Sequence, residues 1–270
     1  RRHPIRRMAI GFLGGSGSYD ALPLRNTREV DVETPFGPPS APPTVGEFGD
    51  TGREVAFVPR HGVDHEYSPT HLPYRANVFA LKRLGVTHVL ASNAVGSLRE
   101  DLPPRTLVVP DQIYDRTKRR ALSFFGDGVV VHQGFAEPYC PELNGIVAEA
   151  AADATDADVV RGGTYVCIEG PQFSTRAESE FYRAQGWDVI GMTTIPEAKL
   201  AREAEMAYAT IAGVTDYDVW NDDTQVSLEE VLENAAANET AIKGTVEAAI
   251  DALPADHECD CHAALANTIN

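Results

Sequence analysis

Apolar runs of strand length that stop abruptly at Gly-, Pro- or Ser/Thr-marked turns recur along the whole chain. Residues 9–13 run into Gly14-Gly15-Ser16-Gly17, residues 55–58 into Pro59-Arg60-His61, and residues 89–91 into Ser92-Asn93-Ala94-Val95-Gly96. Three more such stops crowd the stretch from 168 to 220: Glu169-Gly170-Pro171-Gln172-Phe173-Ser174, Gly191-Met192-Thr193-Thr194, and Thr215-Asp216-Tyr217-Asp218. Strands are predicted over 8–13, 54–58, 88–91, 107–109, 164–168, 189–192 and 209–214, with helical patterns over 74–84, 176–185 and 197–206 between them. A last helix is predicted from Ser227, an N-cap with Glu230 three residues on, to Leu253 before Pro254. Strands alternating with helices specify an α/β fold. In such sheets ligands collect outside the carboxyl ends of the strands, so the stops outline a pocket and point to a small-molecule enzyme.

A chain of 270 residues with 43% apolar content can bury one large core. No linker, repeat or low-complexity tract divides it, and the Pro-dense stretch 35–43 reads as a surface loop. The expected organisation is a basic, disordered extension over 1–7, one domain over 8–265 and a tail over 266–270. No run reaches the ~18 apolar residues of a membrane span, and the basic N-terminus is not followed by the apolar core of a signal peptide. A cytoplasmic protein is expected, with Met8 a candidate start. A net charge of −17 argues against nucleic acid and anionic membrane as partners, since both need a basic face. Only Lys82, Lys118, Lys199 and Lys243 among the 23 basic residues are lysine. An acidic, Lys-poor surface suits concentrated salt, where screening removes self-repulsion, and predicts a halophilic source. Four cysteines, Cys140, Cys167, Cys259 and Cys261, are too few for a secreted disulfide scaffold. Cys259-x-Cys261 can be a redox pair, one edge of a metal site with His257 or His262 nearby, or an incidental pair.

The Gly-rich turn at 14–17 lacks the glycine spacing of a dinucleotide fingerprint, because the sixth position from Gly15 is Asp20, and this disfavours an NAD-dependent dehydrogenase. It also lacks the last glycine of a nucleophile elbow, where Ser18 stands. What remains is a turn whose amides and Ser16 hydroxyl can hold an oxyanion. Arg60-His61, at the next strand end, adds a guanidinium suited to bidentate phosphate contact, and Asn93-Ala94 adds small polar groups. Asp216-x-Asp218 follows an apolar strand directly. In an extended segment both carboxylates project to one side, where mutual repulsion and burial would keep one protonated as a proton donor.

These blocks together resemble the trimeric purine nucleoside phosphorylase family, in particular its 5'-methylthioadenosine phosphorylase branch. The resemblance runs from about residue 9 to 265 and includes Asp115-Arg116-Thr117, Ala136-Glu137-Pro138-Tyr139-Cys140-Pro141 and Pro196-Glu197. It implies a single-domain, three-layer fold with a mixed, partly barrel-like sheet flanked by helices. The activity implied is that of a pentosyltransferase: phosphorolysis of methylthioadenosine to adenine and 5-methylthioribose 1-phosphate. Inorganic phosphate would be the co-substrate, with no metal or cofactor. Carried over residue by residue, Ser16, Arg60, His61, Asn93, Ala94 and Thr193 would hold phosphate. Phe173, Ile190 and Met192 would contact the nucleoside, and Asp216 and Asp218 would face the purine as the catalytic pair. Leu228, Val231 and Leu232 would bind the methylthio group, and His132 would close the 5' pocket of a neighbouring subunit. A homotrimer is implied, or a dimer of trimers. Asn93 stands where Thr is frequent and Gly191 where Asn often precedes Met. The aspartate pair favours 6-amino purines, and an inosine, guanosine or methylthioinosine phosphorylase is the nearest alternative.

Overall fold

A computed structural model describes residues 9–15, 22–49, 52–126, 128–221, 227–266 and 268. Strands β1 (Ala9–Gly14), β2 (Leu24–Glu29), β3 (Thr44–Phe48) and β4 (Arg53–Pro59) precede helix α1 (Tyr74–Arg83). Strands β5 (Val86–Ser97), β6 (Leu107–Val109) and β7 (Gln112–Arg116) lead to α2 (Pro141–Ala154). Then come β8 (Val159–Arg161), β9 (Thr164–Ile168), α3 (Arg176–Ala184), β10 (Val189–Gly191), α4 (Thr194–Glu203), β11 (Ala207–Asp216) and α5 (Leu228–Ala252). The strands form one mixed sheet in the order β2-β3-β4-β1-β5-β10-β9-β7, with β11 also pairing β5 and leading through β6 to β8. The sheet therefore forks at β5, whose first part lies between β1 and β11 and whose end pairs antiparallel with β10.

Covering helices explain why the central strands read as unbroken apolar runs. Ile10 and Phe12 of β1, Leu90 of β5 and Ile211 of β11 pack with Leu143 and Val147 of α2 and Val246 and Ile250 of α5. Their sequence neighbours Leu13, Val89 and Tyr208 pack on the other face with Val78 and Leu81 of α1 and Ala198 and Leu200 of α4. Side chains alternate between two buried faces, so both phases of the period-two pattern must be apolar. The architecture is the three-layer α/β fold expected, and no described helix is long and apolar enough to cross a membrane.

Several expected boundaries move. Strand β5 does not stop at Ala91 but continues through Ser92-Asn93-Ala94 to Ser97, because β11 pairs it as far as Gly96 and β10 takes over there. Helix α4 begins with Thr194, although Ile195 is non-helical and regular geometry starts at Pro196. Ser227 caps α5 by accepting from the Glu230 amide at 3.1 Å, the first half of the expected capping box. The edge strands β2, β7 and β8, the inner strand β3 and helix α2 are not among the expected elements. Residues 1–7 and Ser16 lie outside the described residues.

Candidate active site

The carboxyl ends of β1, β4, β5, β10 and β11 surround a cavity of about 470 Å³, into which loop 65–69, Phe173 and the start of α5 project. Parallel pairing of β4, β1, β5 and β11 places these ends on one edge of the sheet, which is why separate sequence stops converge.

Arg60 follows β4, and its amide donates to the Gly14 carbonyl at 2.9 Å, tying the ends of β4 and β1 together. Its side chain is wholly buried against an equally buried Glu197. Arg60 Nε donates to Glu197 Oε1 and Nη2 to Oε2 at 3.0 Å, so the guanidinium fork is already engaged. Nη2 also donates to Leu13 O at 3.3 Å and Nη1 to Ser92 O at 2.8 Å. A guanidinium has five N–H groups, so these four bonds leave one, on Nη1. This corrects the sequence reading: Arg60 presents a fixed positive charge and a single N–H rather than a bidentate clamp. Burial by itself would lower the Arg60 pKa, but the Glu197 carboxylate beside it raises it on balance and keeps the cation charged. Gly15 closes this end: a side chain there would lie 2.4 Å from Ser92 O and 2.8 Å from Arg60 Nη1.

His61 stacks on His65 with ring centroids 4.4 Å apart, and its Nδ1 lies 2.9 Å from Tyr67 O. A carbonyl can only accept, so Nδ1 carries the proton and Nε2 of the neutral ring is an acceptor. Burial pushes the His61 pKa down to about 4, helped by the Arg60 cation and His65 and opposed by the Tyr67 bond. Asn93 Nδ2 donates to Thr193 Oγ1 at 2.6 Å, and Thr210 Oγ1 donates to Asn93 Oδ1. The unusual Asn93 thus serves as a polar brace between β5, β11 and the turn after β10. Gly191 has an equally local reason, since a Cβ there would stand 1.9 Å from the Tyr165 hydroxyl.

The carboxylates sit at the other end of the β5 wall. Asp216 is paired with Gly96, while Ser92 faces Arg60. Four strand steps at ~3.3 Å each separate the two ends by roughly 13 Å. Asp216 closes β11, but the chain then turns into a 3-10 helix, Asp218–Trp220, with Asp218 at φ +52°. Strand alternation therefore does not juxtapose the pair; the turn does. Asp216 Oδ1 accepts from the Asp218 amide at 2.8 Å and Oδ2 from Thr215 Oγ1 at 2.7 Å, while Ser179 Oγ donates to Asp218 Oδ2 at 2.5 Å. Burial raises both pKa values from the ordinary aspartate value. Asp218 reaches about 6, with the Asp216 charge adding to burial and the Ser179 bond opposing it.

Ala94, Phe173, Ile190, Met192, Thr193, Leu228 and Val231 line the same cavity. Leu232 does not, and is 51% exposed: it shares the helix face of Leu228 but stands one full turn, about 5.4 Å, further along α5. His132 is exposed outside this cavity, with its amide bonded to Thr268 O at 3.1 Å. Residues that sequence reasoning did not place in the site include Glu197, His65, Ser179 and Thr215. Glu197 lies 137 residues from Arg60, and no local spacing announces their pairing.

The chain matches the family profile described as Phosphorylase superfamily over residues 9–251. An S-methyl-5'-thioadenosine phosphorylase of Koribacter versatilis is 48% identical over 261 residues, spanning 96% of this chain and 88% of its own. Its counterpart in Nitrosopumilus maritimus is 48% identical over 256 residues, spanning 95% and 96%. The crystal structure of a methylthioadenosine phosphorylase from an Antarctic soil metagenomic library superposes with a TM-score of 0.91 at 46% identity, covering 98% of this chain and 93% of that one. With strand order, cavity and sequence in agreement, the chain belongs to the phosphorylase superfamily, in its S-methyl-5'-thioadenosine phosphorylase branch.

Proposed function

We propose that the protein cleaves the N-glycosidic bond of 5'-methylthioadenosine with inorganic phosphate, giving adenine and 5-methylthioribose 1-phosphate. The observation that carries this reading is the β5 wall, which sets the Arg60 end and the aspartate end of one cavity roughly 13 Å apart. That spacing accommodates phosphate beneath a ribose whose base reaches the carboxylates. Phosphate occupies the end formed by Arg60, His61, Asn93, Ala94 and Thr193. The remaining Arg60 N–H and fixed cation attract the dianion, and the neutral His61 Nε2 accepts the proton that monohydrogen phosphate still carries. The oriented phosphate attacks C1' as the bond to the base lengthens, and its negative charge offsets oxocarbenium character on the sugar.

The purine lies by Asp216 and Asp218, with Phe173, Ile190 and Met192 against its faces and the ribose. A carboxyl group in this pair donates to N7 as electrons move onto the leaving base. Bound nucleoside deepens the burial that already raises both pKa values, which favours the protonated donor. The second carboxylate accepts from the exocyclic amine, which a 6-oxo purine lacks. Leu228 and Val231 provide apolar surface for the 5' substituent. His132, exposed and outside its own cavity, serves a neighbouring subunit in a homotrimer. Incubation with methylthioadenosine, with and without phosphate, tests the reading. Adenine and a pentose 1-phosphate should form only when phosphate is present. Equal base release without phosphate would make the protein a hydrolase, and faster turnover of methylthioinosine would reverse the base preference.

A further inference from the structure

Cys140, Cys259 and Cys261 meet away from the active-site cavity, with their three Sγ atoms all within 4.8 Å of one another. All are free thiols; Cys140 and Cys261 are buried and Cys259 is partly exposed. We propose that these three thiolates bind one thiophilic divalent cation of the zinc class, stapling the C-terminal tail to the start of α2.

The number of sulfurs is the first argument. A disulfide uses two and leaves a third stranded, whereas three sulfurs at mutual contact already occupy three corners of a tetrahedral site. Zinc–sulfur bonds of ~2.3 Å require corners ~3.8 Å apart, so the cluster needs to contract by no more than about 1 Å. Position is the second. Cys140 is the N-cap of the 14-residue helix α2, where the helix dipole favours a thiolate. Neither nearby imidazole joins the group of three sulfurs: His262 Nε2 is 3.3 Å from Thr87 O, and His257 Nδ1 is 2.9 Å from His88 Nε2. The fourth ligand is then an oxygen, from water reaching the half-open Cys259 side or from the exposed Glu142 carboxylate, which accepts from Cys140 Sγ at 3.4 Å.

A divalent cation displaces the thiol protons into solvent and replaces three S–H groups with three metal–sulfur bonds. The staple has a structural purpose. Beyond it the tail continues to Leu265, whose amide bonds Glu205 Oε1 at 3.2 Å, and to Thr268, whose carbonyl receives the His132 amide.

Titration of the reduced, metal-stripped full chain with Co(II), then Zn(II), reads the site directly. One Co(II) per chain should bind with intense thiolate-to-cobalt charge-transfer absorption, release protons, and be displaced by one Zn(II) with a rise in melting temperature. Cys140→Ser and, at the more exposed position, Cys259→Ser should each abolish that absorption while Zn(II) no longer raises the melting temperature. Absence of stoichiometric Co(II) binding, or an undiminished band in the folded Cys259→Ser variant, would overturn the proposal. So would a purified chain that contains no metal and yields only two titratable thiols on denaturation, because Cys259 and Cys261 would then be a disulfide.

Discussion

Replacing Glu197 with Gln keeps the shape of the side chain but removes the counter-charge from a guanidinium with no solvent around it. Both groups are essentially fully buried and share two hydrogen bonds, and one Glu197 oxygen also accepts from the Tyr208 hydroxyl at 2.8 Å. The Gln oxygen can retain the Tyr208 bond, so the loss falls on the ion pair. Breaking one partner of a buried pair costs about 3–5 kcal/mol. At ~2–4 °C per kcal/mol for a chain of this size, the melting temperature in phosphate-free buffer should fall by roughly 6–20 °C. Added phosphate then acts differently on the two proteins. In the wild type it stabilises by ordinary ligand linkage, whereas in the variant it also supplies the missing negative charge, so the phosphate-induced increment should be larger. Each tenfold tightening of phosphate adds ~1.4 kcal/mol, or about 3–6 °C at saturating ligand. Circular dichroism melts across a phosphate series, with chloride at matched ionic strength, measure both effects. A fall below about 1 kcal/mol, or identical phosphate increments in the two proteins, would refute the assignment of Arg60 as a buried cation awaiting an anion.

Asp216→Asn should lower kcat on methylthioadenosine by on the order of 10²-fold if this carboxyl protonates the base, and steady-state kinetics with wild-type turnover would exclude that role. Asp218 makes folding pH-dependent with a definite sign: its folded pKa of about 6 exceeds the ordinary 3.8, so its contribution is fully present below 3.8 and is lost as pH rises through about 6. Asp218→Asn should therefore flatten the decline in denaturant midpoint over that window, and an unchanged slope would contradict the raised value. Moving from 0.1 M to molar potassium chloride shortens the screening length from about 10 Å to about 3 Å and should raise the melting temperature of a chain of net charge −17. Loss of structure at high salt would count against the expectation of a salt-adapted surface.

Much of the fold was legible because burial on both faces writes itself into consecutive residues. Apolar runs such as 9–13 and 209–214 read as strands and lie inside the sheet, and Tyr74 to Gly85 carried a start and a stop for α1. The edge strands were less readable: β2 reads Leu-Arg-Asn-Thr-Arg-Glu and is mostly exposed, so its extended form depends on pairing with β3. Turn chemistry marked most of the site for the same reason, since polar groups directly after a buried strand must emerge at a sheet edge. Asn93 was placed in a turn and lies within β5, yet its side chain still reaches the cavity.

Sequence by itself therefore determined the layers, the strand ends and the inventory of polar groups offered there, because local periodicity and breakers are properties of neighbouring residues. Only tertiary structure decided what those groups can do. Glu197 arrives from α4 to occupy the Arg60 fork, Tyr67 O fixes the His61 tautomer, and a 3-10 turn rather than a strand joins Asp216 to Asp218. Cys140 likewise reaches Cys259 and Cys261 only when α2 and the tail pack together. Such contacts join residues far apart in the chain, and proton position, charge and donor availability follow from them; no periodicity encodes them.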